Sequence, residues 1–116
     1  MNKEDIEQLL KDLAARSLYG VCVYIKYKTG EPCYGKLTPK DIQWFIDSKI
    51  ETIKPYLRPL SSMTEEEREK YRYGFGSDIY GNIKKIDWLN KHHFDYRGLI
   101  EKGLALKALE GMYNIK

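Results

Sequence analysis

Residues 21–27 constrain the fold more than any other segment, because their side chains alternate strictly in character. Val21, Val23, Ile25 and Tyr27 fall on one side of an extended chain, and Cys22, Tyr24 and Lys26 fall on the other. A period of two with β-branched residues is typical of a strand that has one buried face. The turn formers at 29–32 then predict a reversal, after which residues 34–37 return as a second strand.

Residues 3–16 predict a helix ahead of this strand. Ile6, Leu9, Leu10 and Leu13 have the i, i+3, i+4, i+7 spacing of an apolar helix face. The charged residues, Asp12 among them, are expected mainly on the opposite face. Asn2 or its neighbour is the predicted N-cap, and Gly20 ends the segment.

Residues 38–54 allow two interpretations. The run from Thr38 to Asp41 resembles a helix start, with an N-cap, a proline at the first helical position and an acidic first turn. Against a helix, Ile42, Trp44 and Ile46 also alternate, and residues 47–49 suit a hairpin turn. Periodicity does not decide between the two, and we favour strands.

The segment after residue 54 begins extended, because each of its two prolines lacks an amide donor and disfavours a helical predecessor. Thr64 and Glu67 then have the spacing of a capping box, which predicts a helix that ends near Tyr73. Residues 74–82 are rich in turn formers and predict a loop.

Residues 83–93 predict a third helix whose inward face carries Ile83, Ile86, Leu89 and either Trp88 or His93. A helical turn at 99–102 is expected to end at Gly103, and residues 104–109 suit a closing strand. The predicted fold class is α+β in a single domain, 1–116. It comprises an N-terminal helix, a small antiparallel sheet over about residues 21–54, two or three short helices and a C-terminal strand.

Composition excludes several classes of function. The formal net charge is +3, too mild to predict nucleic-acid or membrane binding by itself. No apolar run approaches the roughly 20 residues that span a bilayer, so we expect a cytoplasmic protein that does not bind membranes. Cys22 and Cys33 are expected to be reduced, and their spacing matches no common zinc motif. No cofactor is predicted.

Three stretches carry a resemblance to other proteins. The chain reads KDLAAR at 11–16 with YGV at 19–21, KPYLRPLSSMTEE at 54–66, and DWLNKHHFDYRGLIEKGLA at 87–105. Together they resemble a group of small uncharacterised proteins encoded by phages, prophages and mobile elements of gut Bacteroidetes. The resemblance implies a source, and it implies a β-rich region before residue 54. The chain departs from the group at Ser17-Leu18, where Leu-Pro is usual, and at 106–111, where Ala-Pro-Glu-Gly is usual. No functional residue is carried over from the group.

His92, His93 and Asp95 form one candidate site, for a metal ion or for hydrolytic chemistry. A metal centre needs imidazole and carboxylate groups that converge on one point. Adjacent helical residues point about 100° apart, so the two histidines do not easily share an ion. The favoured interpretation is structural, with a histidine near the carbonyls that end a helix.

The polar side of the first strand is a candidate surface for single-stranded nucleic acid. Tyr24, Lys26 and Lys28 interleave rings and cations, and Lys36 extends the patch if the next strand pairs beside it. Rings of this kind stack on bases while lysines neutralise phosphates. An ordinary solvated face is the favoured alternative.

Tyr56 and Arg58 are the candidate protein contacts, because a proline-stiffened segment loses little entropy when it binds. The alternative is an extended connector that packs Tyr56 onto the core, and Arg97 is expected to fix a turn or contribute to the contact. The leading hypothesis is a non-enzymatic phage or mobile-element accessory protein that acts through a protein partner or by self-association. A weak nucleic-acid binder and a histidine-centred enzyme are the alternatives.

Overall fold

The computed structural model describes residues 2–113 and confirms the α+β class. Within that range the chain forms four α-helices and a mixed sheet of five strands. The elements are α1 (Lys3–Arg16), β1 (Cys22–Tyr27), β2 (Cys33–Lys36), α2 (Pro39–Ile46), β3 (Ile50–Pro59), α3 (Glu65–Tyr73), α4 (Ile79–Lys91), β4 (Phe94–Asp95) and β5 (Leu106–Lys107). None of these helices is long and apolar enough to cross a membrane.

The sheet has the strand order β2-β1-β3-β4, and β5 also pairs with β3. β1 runs antiparallel to β2 and to the first half of β3, which confirms the antiparallel sheet predicted over residues 21–54. β3 is longer than expected, since it continues through Pro55 to Pro59. Its second half pairs in parallel with the two short strands β4 and β5.

The preference for strands over residues 38–46 is wrong, because a complete helix start outweighs the alternation. The Thr38 hydroxyl accepts a hydrogen bond from the Asp41 amide (3.3 Å), and the Asp41 carboxylate accepts one from the Thr38 amide (3.0 Å). Pro39 occupies the first helical position, where its missing N–H costs nothing. Ser48, with φ 61°, then redirects the chain into β3.

The main core lies between α1 and one face of the sheet. Its fully buried members include Leu9 and Leu13 of α1, Val23 of β1, and Ile53 and Leu57 of β3. A second, smaller cluster of Met63, Leu89 and Phe94 joins α3, α4 and β4. The chain therefore covers both faces of the sheet at its β4 end.

Helix α4 begins earlier than predicted. The Asp78 carboxylate accepts a hydrogen bond from the Gly81 amide (2.8 Å), and this N-cap starts the helix at Ile79 within the expected loop. Leu89 is buried as predicted. The prediction that Ile83 and Ile86 face inward is wrong, because both side chains are exposed.

The C-terminal predictions are confirmed in part. Gly103 has the expected left-handed backbone, with φ 75°, after a turn at 99–102. The closing strand is present but reduced to the two residues Leu106–Lys107.

Candidate binding surfaces

Arg97 belongs to a buried charge network rather than to an exposed contact. Asp12 and Arg16 of α1 are both fully buried, and Arg16 Nε lies 2.9 Å from Asp12 Oδ2. Arg16 also donates to the Phe94 carbonyl (2.5 Å), and Arg97 Nε lies 3.3 Å from Asp12 Oδ1. Burial raises the pKa of Asp12, and the two guanidinium groups oppose that rise. The expectation that Asp12 lies on the polar face of α1 is therefore wrong.

Tyr56 and Arg58 are also unavailable to a partner, with only 7% and 5% of their surfaces exposed. Arg58 makes two hydrogen bonds to Glu67, at 2.6 and 2.9 Å, and its guanidinium lies 4.1 Å from the centre of the Phe94 ring. Burial raises the pKa of Glu67, but hydrogen bonds from Arg58 and Thr64 outweigh it and hold that pKa below its ordinary value. The connector interpretation of residues 54–60 thus fits the structure, and the contact interpretation does not.

The structure does not bring His92, His93 and Asp95 together. The His92 ring lies against Trp88, with centroids 5.0 Å apart, and the His93 ring stacks on Tyr113 at 4.1 Å. The Asp95 carboxylate accepts hydrogen bonds from the amides of Leu99 and Ile100. Within residues 2–113 no group of three potential ligands converges on a point where a metal ion would sit.

His93 is nevertheless unusual in its electrostatics. Burial lowers its pKa to about 4, and the positive charges of Arg16 and Arg58 push in the same direction. Its backbone has φ 64°, in the left-handed region that non-glycine residues seldom occupy. The residue is a neutral, buried imidazole at the point where α4 passes into β4.

The second face of the sheet is open at its β2 end and carries rings and cations from three strands. Tyr24 lies directly opposite Tyr34 of β2 and Lys54 of β3, so these residues share one face. The Tyr24 and Tyr34 ring centroids are 6.4 Å apart. By alternation along β1 and pairing across to β2, Lys26 and Lys36 join the same face. We call these five residues the tyrosine–lysine face.

The sequence predicted three of these residues and also included one that lies elsewhere. Tyr24, Lys26 and Lys36 are on the tyrosine–lysine face as expected, and Tyr34 and Lys54 were missed because their places depend on strand register. Lys28 lies beyond the end of β1, where it lines a groove beside Leu10 of α1.

Helix α4 forms a separate exposed surface. Ile79, Ile83 and Ile86 are spaced i, i+4, i+7 on one side of the helix, and their exposed fractions are 71%, 53% and 42%. We call these three residues the isoleucine stripe. Tyr80, beside it, is 71% exposed. The spacing is visible in the sequence, but the glycines at 74, 76 and 81 favoured a loop there and concealed it.

Comparison with family models, with curated proteins and with solved structures finds no match to this chain. The resemblance to phage and mobile-element proteins therefore stays a prediction from the sequence.

Proposed function

We propose that this chain acts through protein–protein contact and that the isoleucine stripe of α4 is its contact surface. The observation that carries the proposal is the exposure of three isoleucines at helical spacing on one side of a single helix. Isolated exposed apolar residues are common, but a contiguous exposed apolar patch usually marks a contact site. The i, i+4, i+7 spacing is the one by which helices present anchors to a partner.

The opposite side of α4 holds the helix in place. Leu89 is buried in the second core, and the Trp88 ring packs on Phe94 (5.6 Å) and Phe75 (5.8 Å). Lys85 lies over the Tyr71 ring of α3, 4.5 Å from its centroid. The stripe is therefore presented on a fixed helix, which reduces the entropy that binding would cost.

The partner that suits this surface best is a second copy of the chain. A straight stripe on one helix is self-complementary about a two-fold axis, so two copies of α4 can bury the same residues against each other. Three isoleucines and one tyrosine expose less than the about 800 Å² per partner that a stable complex buries. We therefore expect a weak dimer.

Light scattering coupled to size exclusion, over protein concentrations from about 10 µM to about 1 mM, tests this proposal in the range of weak association. The apparent mass should rise with concentration toward twice 13.7 kDa. Ile83→Glu should abolish the rise, because pairing would bury its carboxylate without a partner. Lys84→Glu is the control, because it introduces the same side chain one position along, on another side of the helix. It should leave the rise in apparent mass unchanged.

Two results would contradict the proposal: a constant monomer mass across the whole series, or equal behaviour of Ile83→Glu and the wild type. The accessory role in a phage or mobile element rests on the resemblance alone.

A further inference from the structure

We infer that the tyrosine–lysine face binds single-stranded nucleic acid. This inference is independent of the proposed contact through α4, because the two surfaces lie on different elements. Three properties of the face support the inference: an exposed ring beside a half-buried ring on neighbouring strands, cations around them, and no covering element among residues 2–113 at that end of the sheet.

Two tyrosine rings lie side by side on this face. Tyr34 is 74% exposed and lies on β2, the edge strand of the sheet, while Tyr24 beside it is half-buried. Neither ring packs into the described cores. Each therefore presents aromatic surface to solvent, and every nucleobase has a face that can stack on such a ring.

The cations surround the rings. Lys54 lies directly across from Tyr24, and Lys36 lies two residues beyond Tyr34 on the same face. Lys26 contacts Glu51 at 3.3 Å, with both side chains about half exposed. An exposed ion pair of this kind is worth little, so a phosphate can compete for the lysine. The face is thus positively charged and complementary to a phosphate backbone.

Nucleic acid fits this composition better than a protein does. The five residues of the face include no aliphatic side chain, whereas the apolar centre of a protein interface is depleted in lysine. Single strands fit better than duplex, because stacking on a protein ring requires bases that are not already paired and stacked.

This side of the sheet is covered at its β4 end and open at its β2 end. Alternate residues of β3 point to one side, so Lys54 and Arg58 lie on the same face of the strand. Arg58 is covered by α3 and the Phe94 ring, whereas nothing among the described elements packs over Tyr34. The tyrosine–lysine face is therefore continuous with the packed part of the sheet around Arg58.

Fluorescence anisotropy with a labelled oligothymidylate of about 20 nucleotides tests the inference at about 50 mM salt. We expect the logarithm of the binding constant to fall linearly with the logarithm of the salt concentration. The slope should be about −2, because three lysines contact phosphates. Tyr34→Ala should weaken binding about tenfold, through loss of one stacked base. Lys36→Glu should weaken it at least as much.

Lys28→Glu is the matched control, because it makes the same charge change on a lysine outside the face, and it should leave affinity within about twofold. Ile83→Glu should bind normally, which separates this test from that of the α4 contact. Because Tyr34 and Lys36 are exposed, we expect both variants to keep the melting curve of the wild type. A changed melting curve would identify a variant that is misfolded.

Four results would overturn the inference. They are no binding at about 50 mM salt, equal weakening by Lys28→Glu and Lys36→Glu, no effect of Tyr34→Ala, and tighter binding of a duplex of the same length. The second result would assign the affinity to general charge, and the fourth would assign it to duplex electrostatics rather than to stacking.

Discussion

Arg58 and Glu67 form a two-bond ion pair between the end of β3 and the start of α3, with nitrogen–oxygen distances of 2.6 and 2.9 Å. The same Glu67 carboxylate accepts a hydrogen bond from the Thr64 amide (2.9 Å) and so completes the capping box. One carboxylate thus satisfies both a helix cap and a buried guanidinium. This dual use ties the end of β3 to the first turn of α3.

Removing one partner of this pair should destabilise the fold strongly. Arg58→Met leaves the Glu67 carboxylate buried without its cation, and we expect a loss of about 3–5 kcal/mol in the free energy of unfolding. Urea denaturation at pH 7 measures it. The double change Arg58→Met with Glu67→Gln should recover part of the loss. Glu66→Gln alters an exposed carboxylate in the same helical turn and should cost less than about 1 kcal/mol.

The Tyr113 hydroxyl bridges two strands. It accepts a hydrogen bond from the Cys22 amide (2.9 Å) and donates one to the Tyr56 carbonyl (2.6 Å). Tyr113→Phe keeps the ring on His93 but leaves both backbone groups without this partner, so we expect a loss of about 1–3 kcal/mol. Tyr73→Phe removes a hydroxyl from an exposed ring and is the control. Equal urea midpoints for the two variants would refute the bridging role.

Stability should fall in mild acid because of His93. Its folded-state pKa is about 4, whereas the unfolded imidazole titrates near 6.5, so the unfolded state takes up the proton first as pH falls. The free energy of unfolding should drop by about 2–3 kcal/mol between pH 7.5 and pH 4.5.

His93→Asn tests this dependence, because asparagine tolerates the left-handed backbone and does not titrate. Urea unfolding across the same pH range should give a flatter profile for the variant than for the wild type. Parallel profiles would show that other groups cause the acid sensitivity.

Gly81 should tolerate no side chain. A Cβ built there would overlap the Gly76 carbonyl, which approaches the first turn of α4. Replacing glycine by alanine in a helix usually stabilises it by about 1 kcal/mol, but here we expect a loss of about 1–3 kcal/mol. Gly35→Ala, where the added carbon meets open space, should be neutral or slightly stabilising. Thermal unfolding compares the two variants, and a stabilised Gly81→Ala would contradict the close approach.

Part of the sheet surface was predictable from the sequence. The alternation in β1 correctly placed Tyr24 and Lys26 on one side, since side-chain direction along a strand is a local property. Tyr34 and Lys54 joined them only through cross-strand register, and the register depends on where the chain turns. Lys28 was misassigned because it lies just beyond the end of β1, where the period of two no longer fixes the direction of a side chain.

The sequence by itself determined the features that neighbouring residues control. The cap at Asn2, the capping box of Thr64 and Glu67 and the left-handed turn at Gly103 were all predictable, because each involves groups within a few residues of one another.

Only the tertiary structure decided which polar groups are buried and which apolar groups are exposed. Asp12 is charged yet buried, because Arg16 pairs with it and in turn reaches the Phe94 carbonyl 78 residues away. The isoleucine stripe is apolar yet exposed, because α4 packs through its other side, at Trp88 and Leu89. Periodicity identifies a helix face, but burial depends on what the rest of the chain brings against that face.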